Sequence, residues 1–147
     1  MKKTDAEKYL ASVKKRPAKN ESTLQRAIVK WCQGLGYASV KDRFFAVPNG
    51  WGISGSDRKA AMIQGARLKA EGVKSGVPDM VFFRSFERGD AIWPAVLFVE
   101  VKLGTSGKLS ERQEAFHQLL KDDSHSVVVV RDLTDAIKAI TAFYAAR

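Results

Sequence analysis

The chain of 147 residues is 45% hydrophobic and 28% charged, enough for one domain with a buried core, and its formal net charge of +9 and pI near 9.8 favour a polyanionic partner, nucleic acid before an acidic membrane surface. No apolar run approaches the roughly 18 residues of a membrane span, and the Lys-rich N-terminus lacks the apolar stretch of a signal peptide. A single cysteine, Cys32, excludes an intramolecular disulfide and any multi-cysteine zinc site, so the protein is expected in a cytoplasm, that of a host cell if it is made in one.

Residues 1–19 read as a basic N-terminal arm or short helix, and residues 20–147 as a single domain. A helix is expected from about Asp5 to Lys15, with Pro17 stopping it. The cluster Lys14-Lys15-Arg16 is either a solvated face or a contact that tracks a nucleic-acid backbone. Asn20 is a good N-cap for the next helix. Leu24, Ala27, Ile28, Trp31, Cys32 and Leu35 follow helical spacing, which puts Cys32 on the apolar side as a core residue. Glu21 stands at the head of that stripe. It either favours the positive end of the helix dipole or points into a site.

Arg43 to Val47 predicts a strand. Pro48 to Gly55 is a loop, with three glycines and a proline in eight residues. Within it Asn49 and Trp51 are candidate nucleic-acid contacts, and Trp51 either stacks on a base or caps the core. Ser56 or Asp57 caps a helix to about Ala70, made basic by Arg58, Lys59, Arg67 and Lys69. Such a face is solvated or touches phosphates. Lys74 follows in a tight loop between Gly72 and Gly76, and Gly76 is expected to leave room beside the site.

Met80 to Phe83 and Ala95 to Val101 have the composition of half-buried strands, and Ser85 to Asp90 between them is turn chemistry. Strands joined this way pair antiparallel, and residues equidistant from the turn face each other. Asp79 and Glu100 are centred on the Gly89-Asp90 step, so they are predicted close together. Side chains alternate along a strand, so Lys102 shares the Glu100 face and Val101 points away. Two carboxylates at close range repel unless a cation or proton lies between them. Mg²⁺ or Mn²⁺ would satisfy them, and a Lys beside the ion could hold a water or a phosphate oxygen. Those parts suit metal-assisted phosphodiester hydrolysis. The plain alternative is a hairpin with charges on its wet face.

Leu103 to Lys108 reads as a flexible basic loop, and Lys108 is a candidate DNA contact. Ser110 starts a helix with Gln113 three residues on, a capping box. Gln113 also shares a face with Phe116 and Leu120, so its amide could look inward. His117 and His125 have no partner pattern for triad or zinc chemistry and receive no role. Ser126 to Arg131 holds four consecutive valines, the pattern of a strand buried on both faces. Asp132 or Thr134 caps a last helix to about Ala146, with Leu133, Ile137, Ile140 and Tyr144 as its core stripe.

Gly76-Val77-Pro78-Asp79, Glu100-Val101-Lys102 and Ser110-x-x-Gln113, in that order, resemble the PD-(D/E)xK nuclease superfamily and, within it, the VRR-NUC domain family. Glu21 and Pro48-Asn49-Gly50 fill two further places of that pattern. The resemblance covers about residues 20 to 131. It implies an α/β fold with an αβββαβ core, a mixed four-stranded sheet flanked by helices. It implies a metal-dependent DNA endonuclease with Asp79, Glu100 and the Val101 carbonyl on the ion. Lys102 would orient the water, and Gln113 and Glu21 would support the site. Small members of this branch imply branched DNA, four-way junctions included, as substrate, and a homodimer as the working unit, with no membrane and no small-molecule substrate. Rival expectations are a nuclease on flaps or nicks, or a DNA-binding module with a decayed site.

Overall fold

The computed structural model describes residues 8, 11–12, 17–34, 40–48 and 58–146. Residues 8, 11 and 12 are helical, and the remainder of the expected N-terminal helix lies outside the described residues. The ordered elements run α1 (Glu21–Gly34), β1 (Phe44–Ala46), α2 (Arg58–Ala70), β2 (Met80–Arg88), β3 (Ala91–Val101), α3 (Glu111–Asp122), β4 (Ser126–Val130) and α4 (Leu133–Ala145). The fold is mixed α/β, with one four-stranded sheet in the order β1-β2-β3-β4. Strand β2 pairs antiparallel with both β1 and β3, and β4 pairs parallel with β3. A parallel neighbour requires a crossover. Helix α3 supplies it.

Local chemistry starts and stops the helices as expected. Asn20 Oδ1 accepts from the Thr23 amide and from Thr23 Oγ1, each at 2.8 Å. Asp132 Oδ1 accepts from the Asp135 amide at 2.8 Å and opens α4. On α1 the buried residues are Leu24, Ile28, Trp31 and Cys32, four of the predicted stripe; Ala27 is partly buried and Leu35 lies outside the described residues. The four meet Leu133, Ala136 and Ile140 of α4 across one face of the sheet, where Phe44, Met80, Phe82, Leu97, Val99, Val101 and Val130 point. This is the core. Removing the side chain of a wholly buried residue such as Ile140 (0% exposed) costs about 2–5 kcal/mol. Because Val99 and Val101 face α1 and α4, Glu100 faces the other side, towards α3. Helix α2 has no buried residue, in keeping with a basic solvated face.

The hairpin corrects one expectation. Ser85 to Asp90 is not all turn. Both strands run on past Phe83 and Ala95, and the turn shrinks to Gly89 and Asp90, with Gly89 at φ 62°. Glycine adopts that backbone without strain. Arg84 supports the extra length. Its guanidinium lies 5.2 Å from the Phe86 ring centre and 5.5 Å from that of Phe143, and it donates to the Tyr144 carbonyl at 3.2 Å. Pro94 is tolerated because it sits opposite Ser85, before β4 begins to pair at Leu97. Among the described residues no helix is long and apolar enough to cross a membrane.

Candidate active site

The predicted register holds through the strands. Met80 pairs with Val99 and Arg88 with Ala91, so one step beyond the Met80–Val99 pair Asp79 comes opposite Glu100. Asp79 Oδ2 accepts from the Val101 amide at 2.8 Å, which ties the head of β2 to the end of β3. Val101 therefore enters the site through its backbone while its side chain lies in the core. Lys102 continues β3 and points to the Glu100 side. Its Nζ is 3.0 Å from Glu100 Oε1 and 3.7 Å from Glu21 Oε1. Glu21 reaches this point from the first turn of α1, with half its side chain exposed.

Gln113 reconciles its two readings. Its Oε1 accepts from the Ser110 amide at 2.9 Å, and Ser110 Oγ accepts from the Gln113 amide at 3.3 Å. That is the complete capping box at the start of α3. Its Nε2 meanwhile donates to Glu100 Oε1. Asp79, Glu100, Lys102, Gln113 and Glu21 are thus joined in one network.

Burial and charge act on this network unequally. Glu100 is wholly buried, and burial first, then the Asp79 charge, pushes its pKa up to about 7 against the pull of Lys102. Burial opposes the Lys102 charge, but its hydrogen bond to Glu100 and the Glu100, Glu21 and Asp79 carboxylates outweigh it and hold the ammonium above its ordinary pKa. The site keeps a firm cation, Lys102, beside a carboxyl, Glu100, that resists ionisation. Cys32 lies elsewhere, in the core, where burial raises its thiol to about 12. It is no nucleophile.

An ion with a preference for oxygen ligands fits this donor set. Glu100 Oε2 is buried and has no hydrogen-bond partner among the described residues, and Glu100 resists ionisation even beside Lys102. Among the described residues no group of three His, Cys, Asp or Glu side chains could hold a metal ion. The two carboxylates, Asp79 and Glu100, are oxygen donors of the kind that hard divalent ions take.

One residue was missed from sequence. His117 is buried on α3, with Nε2 3.7 Å from Glu100 Oε2. The available signal was its position one helical turn after Gln113, on the same face. Burial, then the Lys121 and Lys102 charges, lowers its pKa below the ordinary imidazole value.

The glycine beside the site has a different purpose from the one expected. Gly76 sits at φ 90°, and a Cβ there would lie 2.4 Å from the Arg112 carbonyl oxygen. It lets the 72–78 loop close on the first turn of α3 rather than leaving room beside Glu100. Arg112 adds a bond from its guanidinium to Ser75 Oγ at 3.2 Å. On the other side, Arg131 donates to the carbonyls of Gly104 and Gly107, each at 2.7 Å, and pins the loop after Lys102.

The candidate DNA contacts divide in two. Arg58 and Lys59 are exposed on α2, and Lys74 and Lys108 are exposed on loops. Asn49 and Trp51 lie outside the described residues.

The VRR-NUC domain family matches residues 19–132. The chain belongs to that family. The match spans β1 to β4 and all five networked residues. A solved structure described as a VRR_NUC domain protein superposes with a TM-score of 0.63 at 18% identity, covering 86% of this chain and 88% of that one. No curated protein matches. As a VRR-NUC domain the chain is a nuclease of the PD-(D/E)xK type, and its partner is DNA.

Proposed function

We propose that this VRR-NUC domain is a Mg²⁺- or Mn²⁺-dependent endonuclease that cuts branched DNA, four-way junctions first among its substrates. The observation that carries the catalytic part is the convergence of Asp79, Glu100 and Lys102, with Lys102 Nζ 3.0 Å from a wholly buried Glu100. A buried ammonium is costly unless carboxylates pair with it, as Glu100 and Glu21 do here.

In this reading Asp79, Glu100 and the Val101 carbonyl hold the ion. When bound, such an ion polarises a phosphodiester oxygen and favours the hydroxide form of a water. Lys102 stays protonated, so it donates to the attacking water or the scissile phosphate and balances developing negative charge. Gln113 holds Glu100 Oε1 and thereby limits rotation of the carboxylate. Glu21, exposed and 3.7 Å from Lys102, keeps the ammonium directed to the open side of the site. Arg58, Lys59, Lys74 and Lys108, with Asn49 and Trp51, steer and hold the DNA backbone.

Junction cleavage requires two coordinated cuts, and one such site cuts one strand. A two-fold homodimer supplies a second site in fixed relation to the first. Near the hairpin tip Ile92 and Trp93 are 73% and 53% exposed and offer apolar surface for such a dimer, whereas Phe143 and Tyr144 pack against the core.

The test is a cleavage panel of labelled four-way junction, flap, nicked and linear duplex DNA, with Mg²⁺, Mn²⁺ or chelator, beside light scattering at micromolar protein. Paired symmetric cuts in the junction, lost in chelator, from a dimer are expected. Preference for flaps or nicks would move the substrate. Binding without cleavage under every condition would make the chain a DNA-binding module.

A further inference from the structure

Glu100 and His117 are both buried, with side chains 1% and 5% exposed. Among the described residues two of their polar atoms, Glu100 Oε2 and His117 Nε2, lack a hydrogen-bond partner, and they face each other at 3.7 Å. That is beyond a direct hydrogen bond. A buried polar atom without a partner costs about 1–3 kcal/mol, so two such atoms side by side call for an account. A neutral imidazole carries one N–H and one lone pair. With Glu100 ionised, as it must be to receive an ion, a proton on Nδ1 would set the Nε2 lone pair against a carboxylate lone pair in a dry interior. A proton on Nε2 sets a donor against an acceptor. The other carboxylate oxygen already has its donors, since Oε1 receives Gln113 and Lys102.

We infer that His117 is a positioning residue: its Nε2–H is directed at Glu100 Oε2 and, with Gln113 and Lys102 on Oε1, fixes the rotation of the carboxylate that receives the ion. Closing the gap needs only a small tilt of the ring, and one lone pair of Oε2 is left for a cation. This inference rests on the nuclease reading above. Groups that position a metal-binding side chain typically change metal affinity by about 10–100-fold when removed.

Two measurements test it on the whole chain. Long-range ¹H–¹⁵N correlation spectra of the wild-type protein report the His117 tautomer, and a proton on Nε2 is expected. A proton on Nδ1 overturns the inference. Second, Mn²⁺ affinity is measured by electron paramagnetic resonance for wild type, His117→Leu and His117→Gln, with Tm recorded for each. His117→Leu should bind Mn²⁺ about 10–100-fold more weakly. His117→Gln, which carries an N–H donor on a chain of similar reach, should recover most of the loss. Wild-type affinity in His117→Leu, or equal losses in both variants, overturns the inference alone. No Mn²⁺ binding by the wild-type chain overturns the metal-dependent reading itself. If His117→Leu does not fold, the tautomer and the Gln variant decide.

Discussion

Gln113 hands Glu100 over to the start of α3. One amide closes the capping box with its oxygen and holds the buried carboxylate with its nitrogen. Helix start and site geometry are therefore one structure, and the two roles can be separated by mutation. Ser110→Ala removes only the acceptor for the Gln113 amide. It should cost about 1 kcal/mol of stability and leave cleavage near wild type. Gln113→Ala removes both roles. It should cost a similar amount of stability and at least about tenfold in cleavage rate. Urea midpoints beside single-turnover rates make the comparison. Equal rates for the two variants would mean that Gln113 only caps.

Lys102→Met keeps the stem and deletes the ammonium. Cleavage should fall below detection while DNA affinity at fixed salt changes little. Loss of the cation also drives Glu100 further towards its neutral acid, which limits the cost of stranding a buried carboxylate. Gel-shift affinity and cleavage rate together are decisive. An active Lys102→Met protein removes the proposed mechanism.

The pH dependence of metal binding has a definite sign. Glu100 titrates near 7 in the folded chain against an ordinary value of 4.5. A folded value raised above the unfolded one stabilises the fold fully at low pH, and that contribution is lost as pH rises through about 7. An ion must displace the proton at low pH and meets a ready carboxylate above it. Saturating Mg²⁺ should therefore raise Tm more at about pH 8 than at about pH 5.5. An equal gain at both would show that Glu100 does not bind the ion.

DNA affinity should fall steeply with salt, because each neutralised phosphate releases counterions. Arg58→Ala with Lys59→Ala should reduce the slope of log affinity against log salt by up to about two and leave the rate at saturating DNA unchanged. An unchanged slope would take α2 off the DNA.

The hairpin register was legible because counting outward from a turn needs no tertiary information. Asp79 and Glu100 come opposite each other for that reason alone, although the strands are longer than composition suggests. The Arg84 contacts with Phe86 and Phe143 extend them, and Phe143 lies far along the chain. The α1 stripe and the caps at Asn20 and Ser110 were legible because they are local. His117 was not. A lone histidine acquires meaning only when β3 delivers Glu100 beneath it, and that encounter depends on how α3 crosses the sheet. The reason for Gly76 was hidden likewise. It lies in the Arg112 backbone, which no local pattern connects to residue 76.

The two-residue turn at Gly89-Asp90 constrains how this hairpin can change. Asp79 and Glu100 stay opposite each other when both strands grow or shrink together, since each added pair only moves the tip outward. A single residue gained in one strand shifts the pairing by one step and sends Glu100 into the face occupied by Val99 and Val101, unless a bulge absorbs it. Chain length between the two carboxylates is thus free in size and restricted in parity. The tip can lengthen, carrying a new contact surface away from the sheet, while the chemistry at the open end of the hairpin stays where it is.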